Sequence, residues 1–257
     1  NSQQIANIIN ATDDDIMVGS LPLFHAFGIV VTTFLPLIEG IKCVCHPDPT
    51  DGLGLGKLIS QYKATIMTGT STFFRLYTKN SKVHPLMFES LRLCVAGAEK
   101  LREDVRYDFK KKFGKDILEG YGTSETSPVA ACNLPDVLAP DFTIQVGNKI
   151  GTVGMAIPGT TIKIVEPLTF KELATNEEGM ILVSGIQVMR GYLNDEARTA
   201  KALKKIRGKI YYITGDRGKL DEDGFLTIVD RYSRFAKLAG EMISLGAVEE
   251  KISKILT

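Results

Sequence analysis

The sequence predicts an α/β fold: a parallel-sheet α/β subdomain followed by a β-rich subdomain. Three observations carry this. From Ile16 to Leu118, short apolar runs alternate with segments of helical period, the pattern that builds a parallel sheet with crossover helices. Around Asn133 to Asn148 that texture stops, and Pro135 and Pro140 stand in a stretch without helical period. From Gly151 onward short strand candidates follow turn signals, with one short helix candidate near Glu196 to Leu203. These changes place a subdomain boundary near residue 135, between residues 1–134 and 135–229.

The first ten residues read like the middle of a helix with no cap before them. Ile16 to Gly19 is a short strand. Phe24, Phe27, Val30, Val31 and Phe34 then recur at helical spacing up to Pro36, which predicts a buried helix. Lys42 to Cys45 reads as a strand, Leu53 to Tyr62 as a helix, Thr65 to Met67 as a strand and Phe73 to Thr78 as a helix. Leu91 to Ala96 is a buried strand that ends at Gly97-Ala98-Glu99. Val105 to Phe113 is amphipathic, its basic face (Arg106, Lys110, Lys111, Lys112) most simply solvated, and Asp116 to Leu118 is the next strand. In the second half, strands are expected at Thr160 to Val165, Met180 to Ser184, Ile210 to Thr214 and Phe225 to Val229. A helix is expected from about Ala247 to the end.

Composition removes several function classes. A net charge of +1 gives no electrostatic case for nucleic acid. The apolar stretch Leu21 to Cys45 is broken by Pro22, His25, Pro36, Glu39 and Lys42, whereas a membrane span needs about 20 largely uninterrupted apolar residues. Asn1 to Asp15 lacks the charged and apolar regions of a signal peptide. Cys43, Cys45, Cys94 and Cys132 lie mostly in apolar runs and read as buried thiols of a reducing compartment. Cys43-Val44-Cys45 has the wrong spacing for a zinc knuckle, and no second pair answers it. Gly52-Leu53-Gly54-Leu55-Gly56-Lys57-Leu58 fails as a phosphate loop, because the spacing before Gly-Lys is wrong and Leu58 replaces Ser or Thr.

What remains is Glu119-Gly120-Tyr121-Gly122-Thr123-Ser124-Glu125-Thr126, which follows an apolar strand. Tyr121 offers a face on which a base can stack. Gly120 and Gly122 let backbone approach a flat ligand. Thr123 and Ser124 can hydrogen-bond phosphoryl or carboxyl oxygens, and Glu125 can hold a hard cation such as Mg²⁺. An ordinary strand-to-loop turn would need no more than these residues either. Gly97-Ala98-Glu99 and this segment both sit at C-terminal ends of strands, where parallel sheets gather ligands. Farther on, Thr214-Gly215-Asp216 ends a strand in a turn, where an Asp can take two sugar hydroxyls, and Asp230-Arg231 follows the last strand.

Taken in order, these pieces resemble the adenylate-forming superfamily of acyl-CoA and acyl-carrier-protein synthetases, luciferases and adenylation domains. The matching series is Pro22-Leu23-Phe24-His25, Gly97-Ala98-Glu99, Tyr121-Gly122-Thr123-Ser124-Glu125, Gly151-Thr152-Val153-Gly154 with Pro158-Gly159, Thr214-Gly215-Asp216 and Asp230-Arg231. The segment from Asp230 to Glu249 departs from the usual Gly-Arg-x-x-Asp hinge. It is similar to the synthetase half of bifunctional bacterial proteins that couple 2-acylglycerophosphoethanolamine acyltransferase to acyl-[acyl-carrier-protein] synthetase.

The resemblance implies an ATP- and Mg²⁺-dependent ligase that adenylates a fatty acid and passes it to acyl-carrier protein, or alternatively to CoA. Tyr121 would stack on adenine, with Gly97, Ala98 and Glu99 lining the base pocket beside Glu119, Gly120, Gly122 and Thr123. Asp216 would bind the ribose, assisted by Arg231. Ser124 would contact the phosphate side, Glu125 would hold Mg²⁺, and His25 would sit by the acyl carboxylate, with the following helix walling the acyl tunnel. Asp230 would be the hinge of a small C-terminal domain, of which residues 230–257 would be the hinge and truncated start. The family's Ser/Thr/Gly-rich phosphate loop and its catalytic lysine are absent, and Lys237, Lys251 and Lys254 do not match that lysine's motif. A piece of a longer protein is therefore expected, truncated at both ends and with little activity alone. In the full-length protein, placement at the cytoplasmic face of a bacterial inner membrane is implied. A reading of another class is an inactive nucleotide- or lipid-binding module that keeps the fold.

Overall fold

The fold is given by a computed structural model describing residues 1–238 and 241–245, with Val248 and Ile252. Strands β1 (Ile16–Gly19), β2 (Lys42–Cys45), β3 (Ile66–Gly69), β4 (Leu93–Ala96) and β5 (Ile117–Gly122) pair in parallel in the order β2-β1-β3-β4-β5. The same sheet continues antiparallel through β6 (Val129–Cys132). A short hairpin of β7 (Val137–Leu138) and β8 (Ile144–Gln145) follows, and β9 (Met155–Ala156) then completes the sheet. The parallel sheet expected from the sequence is thus present, with two antiparallel strands on one side. Strand β5 runs beyond Leu118 to Gly122 because β6 supplies hydrogen-bond partners for Gly120 to Gly122.

Helices cover both faces of this sheet. On one face lie α4 (Gly52–Tyr62), α5 (Ser71–Lys79) and α6 (Glu103–Phe113), opposite α1 (Ser2–Ile8), α2 (Ala26–Ile29) and α3 (Leu35–Glu39). The core under α4 to α6 is aromatic: Phe74 and Phe109 meet edge to face at 5.1 Å, and Phe88 stacks on Phe113 at 4.4 Å. Helix α4 opens on an Asp51 cap whose carboxylate takes the Gly54 N–H at 2.9 Å, so an acid already fills the place a phosphate loop would give to an anion. Helix α1 is tied to distant chain. The Asn1 side chain donates to the Val129 carbonyl and accepts from the Val129 N–H, and Gln4 donates to the Pro158 carbonyl at 2.6 Å.

The helical run after Pro22 differs from expectation. It continues past Pro36 to Glu39 through a π-helical turn, Val30–Phe34. Pro36 is tolerated because it stands near the start of α3, and Gly40 ends the helix in the left-handed conformation. Val31 and Leu35 are buried, but Phe24 is 94% exposed and Phe34, Leu37 and Ile38 are exposed as well. One stripe of the expected buried helix therefore faces outward. The thiols also depart from expectation: Cys94 and Cys132 are buried, Cys43 is half-buried and Cys45 is exposed on the edge strand.

The second sheet has the order β10-β11-β13-β12, with β14 also on β13: β10 (Thr160–Val165), β11 (Gly179–Gly185), β12 (Leu203–Ile206), β13 (Lys209–Leu220) and β14 (Leu226–Arg231). Helix α7 (Glu196–Ala202) precedes β12. Strand β13 passes through Thr214-Gly215-Asp216 instead of ending there, and Arg231 belongs to β14, because the two strands pair Asp216 with Arg231 and Arg217 with Asp230. Ala130, Ala131, Ile164, Ile181, Val183 and Leu226 form a third core, against which Tyr121 packs. Beyond Arg231, strands β15 (Phe235–Leu238) and β16 (Glu241–Ser244) pair antiparallel. Most of the helix expected from Ala247, with Lys251 and Lys254, lies outside the described residues.

Candidate active site

Strands β4 and β5 are parallel neighbours, so the segments leaving their C-terminal ends share one edge of the sheet. Gly97 to Glu99 leaves β4, with Ala98 in the left-handed conformation (φ 68°), an uncommon one for a residue with a Cβ. A Cβ on Gly97 would stand 3.2 Å from the Phe27 ring and 3.8 Å from the Gly120 carbonyl. Phe27 thus rests on this segment, and α2 is placed beside it. Glu99 turns away to the start of α5, accepting from the Thr72 N–H at 2.5 Å.

The end of β5 supplies the centre of the site. Gly122 is forced to be glycine by its own chain: a Cβ there would lie 1.8 Å from the Pro128 carbonyl oxygen. Thr123 and Thr126 form a capping box around the turn Ser124–Thr126, which leaves Ser124 exposed and fixes Glu125 between them. The Tyr121 hydroxyl donates to Asp216 Oδ2 at 2.5 Å, and Arg231 Nε donates to Asp216 Oδ1 at 3.0 Å. Asp216, Arg231 and Tyr121 therefore meet, although they come from three strands. Burial raises the Asp216 pKa, while Tyr121 and Arg231 oppose that shift. The Tyr121 phenol is pushed well above its usual value by burial and by Asp216, so it remains a donor.

Glu125 is held by residues that short-range reading of the sequence did not find. Its carboxylate accepts from the Tyr192 hydroxyl at 2.7 Å, and its backbone carbonyl accepts from the Met189 N–H at 2.8 Å. Burial works to raise the Glu125 pKa, but hydrogen bonds from Tyr192, Tyr212 and Thr123 hold it below the usual carboxylate value. The Arg198 guanidinium lies 3.9 Å from the centre of the Tyr192 ring. Gly191-Tyr192 follows β11 by several residues, and no periodicity links it to Glu125; only the packing of the second sheet does. Tyr212 lies within the strand expected at Ile210 to Thr214, where its local sequence gives it no role.

Glu119 goes elsewhere. Its side chain is buried, forms an ion pair with Arg106 on α6 and accepts from the Leu101 N–H at 3.3 Å. Arg106 is correspondingly buried, so it does not belong to the solvated basic face expected of α6. His25 caps α2, its Nδ1 accepting from the Phe27 N–H at 3.1 Å, and its ring is exposed. Among the described residues it shares no hydrogen bond with the Tyr121, Asp216 and Arg231 group. Asp230 is buried, and its Oδ1 accepts from the Arg231 N–H at 2.7 Å.

A hard divalent cation fits Glu125 on chemical grounds. The carboxylate is ionised at neutral pH, partly exposed and flanked by hydroxyl oxygens. Mg²⁺ commonly takes one or two carboxylates and completes its shell with water and phosphate. The described residues contain no group of three or more His, Cys, Asp or Glu able to hold a metal alone.

Comparison with known proteins identifies the family and the fold. Residues 1–193 match the family model described as AMP-binding enzyme. The long-chain-fatty-acid–CoA ligase of Salmonella typhimurium is 32% identical over 238 residues, covering 93% of this chain and 40% of the relative. ATP-bound MatB from Rhodopseudomonas palustris superposes with a TM-score of 0.83 at 27% identity, over 98% of this chain and 47% of that one. O-succinylbenzoate coenzyme A synthetase from Bacillus subtilis, in complex with ATP and magnesium, gives 0.79 at 26% identity, over 98% of this chain and 49% of that one. The chain spans about two fifths of the length of the fatty-acid ligases it matches. With the family model matched across three quarters of the sequence and the same fold in these enzymes, the chain belongs to the AMP-binding, adenylate-forming enzymes.

Proposed function

We propose that this chain is the nucleotide-binding part of an ATP-dependent acid–thiol ligase that activates fatty acids. In that reaction a carboxylate attacks the α-phosphate of ATP, giving acyl-adenylate and pyrophosphate, and a thiol then takes the acyl group. The observation that carries the reading is the convergence of Tyr121, Asp216 and Arg231 beside an ionised Glu125 at the end of a parallel sheet. The Tyr121 ring offers a stacking surface for adenine, while Asp216 and Arg231 take the ribose hydroxyls. Gly97 and Ala98 back the base, and Ser124 and Thr123 face the phosphates. Mg²⁺, held by Glu125, supplies charge neutralisation on the phosphates. His25 meets the acyl carboxylate. The apolar wall formed by α2, the π-helical turn and α3 would favour a long chain, at roughly 0.8 kcal/mol per buried CH₂.

Two acceptors are proposed. Residues 230–249 carry the similarity to acyl-[acyl-carrier-protein] synthetases, which makes acyl-carrier protein the first acceptor and lysophospholipid reacylation, in a bifunctional protein at the inner membrane, the use of the product. The names of the relatives favour CoA instead. Among the described residues no helix is long and apolar enough to cross a membrane. The test is fatty-acid-dependent ATP–pyrophosphate exchange by the full-length protein, with this 257-residue chain run beside it, followed by competition between CoA and holo-carrier protein. Exchange by the full protein alone is expected. Absence of exchange by folded full-length protein would sink the ligase reading and favour an inactive binding module.

A further inference from the structure

The site above leaves one motif unused, Cys43-Val44-Cys45. Residues two apart on a strand face the same way, and here the two sulfurs stand 3.9 Å apart on the edge strand β2. The opposing residue on β1 is Gly19, which pairs with Cys45. A Cβ on Gly19 would lie 2.9 Å from Cys43 Sγ and 3.3 Å from Cys45 Sγ, so the missing side chain makes room for the sulfurs. Cys43 Sγ also lies 3.5 Å from the Thr32 carbonyl of the π-helical turn. The pair is therefore bounded by Gly19 and by the Thr32 carbonyl, with Cys45 open to solvent.

The spacing has a chemical meaning. A disulfide needs its sulfurs at about 2.05 Å. Two bonds of about 2.3 Å to one tetrahedral centre, the length typical of zinc–thiolate bonds, would hold them about 3.8 Å apart. Structural zinc itself is a poor occupant, because it needs four ligands and no third His, Cys, Asp or Glu joins the pair among the described residues. The neighbouring His46 Nε2 lies 3.4 Å from Asp51. A trivalent centre satisfied by two sulfurs and one carbon needs no further protein ligand.

We infer that Cys43 and Cys45 form a two-sulfur modification site for soft, thiol-seeking centres of the monosubstituted arsenic(III) class. With phenylarsine oxide the step is a condensation without redox change. The exposed Cys45 sulfur bonds to arsenic first, Cys43 closes the ring, two As–S bonds replace the arsenic–oxygen bonding, and the two thiol protons leave with the oxygen as water. Burial and the neighbouring Cys45 push the Cys43 thiol up to about 12, so it reacts as the second, intramolecular partner. Cys94 and Cys132 are enclosed, and burial likewise pushes both up to about 12, which makes them internal controls. The inference does not depend on the proposed ligase activity.

The test treats the reduced, folded chain with phenylarsine oxide, desalts it in excess monothiol and measures intact mass and peptide-mapped label. One phenylarsenic group per chain is expected on the peptide containing residues 43–45, resistant to 2-mercaptoethanol and removed by 2,3-dimercaptopropanol. Cys43→Ser and Cys45→Ser should each lower retained label at least about tenfold, a difference of about 1.4 kcal/mol. Cys94→Ser/Cys132→Ser should retain it. Far-UV circular dichroism shows whether each variant is folded, and the peptide map of the parent decides the matter if one is not. Label lost to monothiol, label located on another peptide, or full retention by a folded Cys45→Ser variant would each overturn the inference.

Discussion

The Tyr121 hydroxyl and the Asp216 carboxylate meet at 2.5 Å across 95 residues of sequence, joining β5 of the first sheet to β13 of the second. With Arg231 on the other oxygen, both faces of the carboxylate are engaged. Each oxygen keeps a second lone pair that a ribose hydroxyl could use, so the two sheets are latched by the group that would recognise the sugar.

Asp216→Asn keeps the shape of the side chain and removes its charge. AMP affinity of the full-length protein, measured by calorimetry, should fall about tenfold, the worth of one charge-assisted hydrogen bond. Tyr121→Phe keeps the stacking ring and the charge of Asp216, so its AMP affinity should stay close to the parent's. Parent-like binding by Asp216→Asn would exclude this carboxylate from nucleotide recognition.

Glu119 and Arg106 make a buried ion pair, and its loss should be felt in stability rather than in binding. Arg106→Ala should cost about 3–5 kcal/mol in urea unfolding, because it strands a buried carboxylate. Burial already raises the Glu119 pKa, with Arg106 opposing the shift. A carboxyl whose folded pKa is raised loses stability as pH climbs through that range. The variant's deficit should therefore grow from pH 4 toward neutrality, and nucleotide affinity per folded molecule should be unchanged.

Asp15 and Arg92 pair at 2.6 Å at the base of the first sheet. Burial would raise the Asp15 pKa, but hydrogen bonds from Arg92, Thr65 and Thr12 bring it down to about 2 from 3.8. A depressed carboxyl pKa stabilises above its unfolded value, and that contribution is lost as pH falls from about 4 to about 2. The contribution is about 1–2 kcal/mol, allowing for the partial exposure of Arg92. Asp15→Asn should flatten this part of the acid-unfolding curve by that amount.

Tyr192 donates to Glu125, and its hydroxyl helps to keep that carboxylate ionised. If Glu125 holds magnesium, Mg²⁺-dependent nucleotide binding fails as pH drops through the Glu125 pKa. Tyr192→Phe should move this acid limb to higher pH, read from binding titrations at several pH values. An unmoved limb would separate Tyr192 from the metal site.

The strand-and-helix frame of the first half was legible because each element carries its own period and punctuation. Ile16–Gly19 and Lys42–Cys45 have the bounds read from sequence, and α4, α5 and α6 begin within two residues of those bounds. Tyr121, Asp216 and Arg231 were legible as residue types in order, but not as neighbours; the pairing of β13 with β14 brings Asp216 against Arg231. Tyr192 was not legible, because nothing in its local sequence distinguishes it from an exposed loop tyrosine. Glu119 misled for a similar reason: its position beside Gly120 suggested the ligand, while strand alternation aimed its side chain at α6. The outward stripe of Phe34, Leu37 and Ile38 escaped because apolar residues at helical spacing announce a buried face whether or not anything covers it.

The bonds from Asn1 and Gln4 to Val129 and Pro158 span at least 128 positions, and they set an order of events in folding. Helix α1 packs on α3 and β1, which are close in sequence, but its polar ties must await β6 and the turn at Pro158. Its apolar side, Ile5, Ala6 and Ile9, is covered by Met17, Val31 and Leu35, close in sequence, before the bonds of Asn1 and Gln4 can be made. This segment is thus secured in two stages, first by apolar contacts close in sequence and last by hydrogen bonds to distant chain.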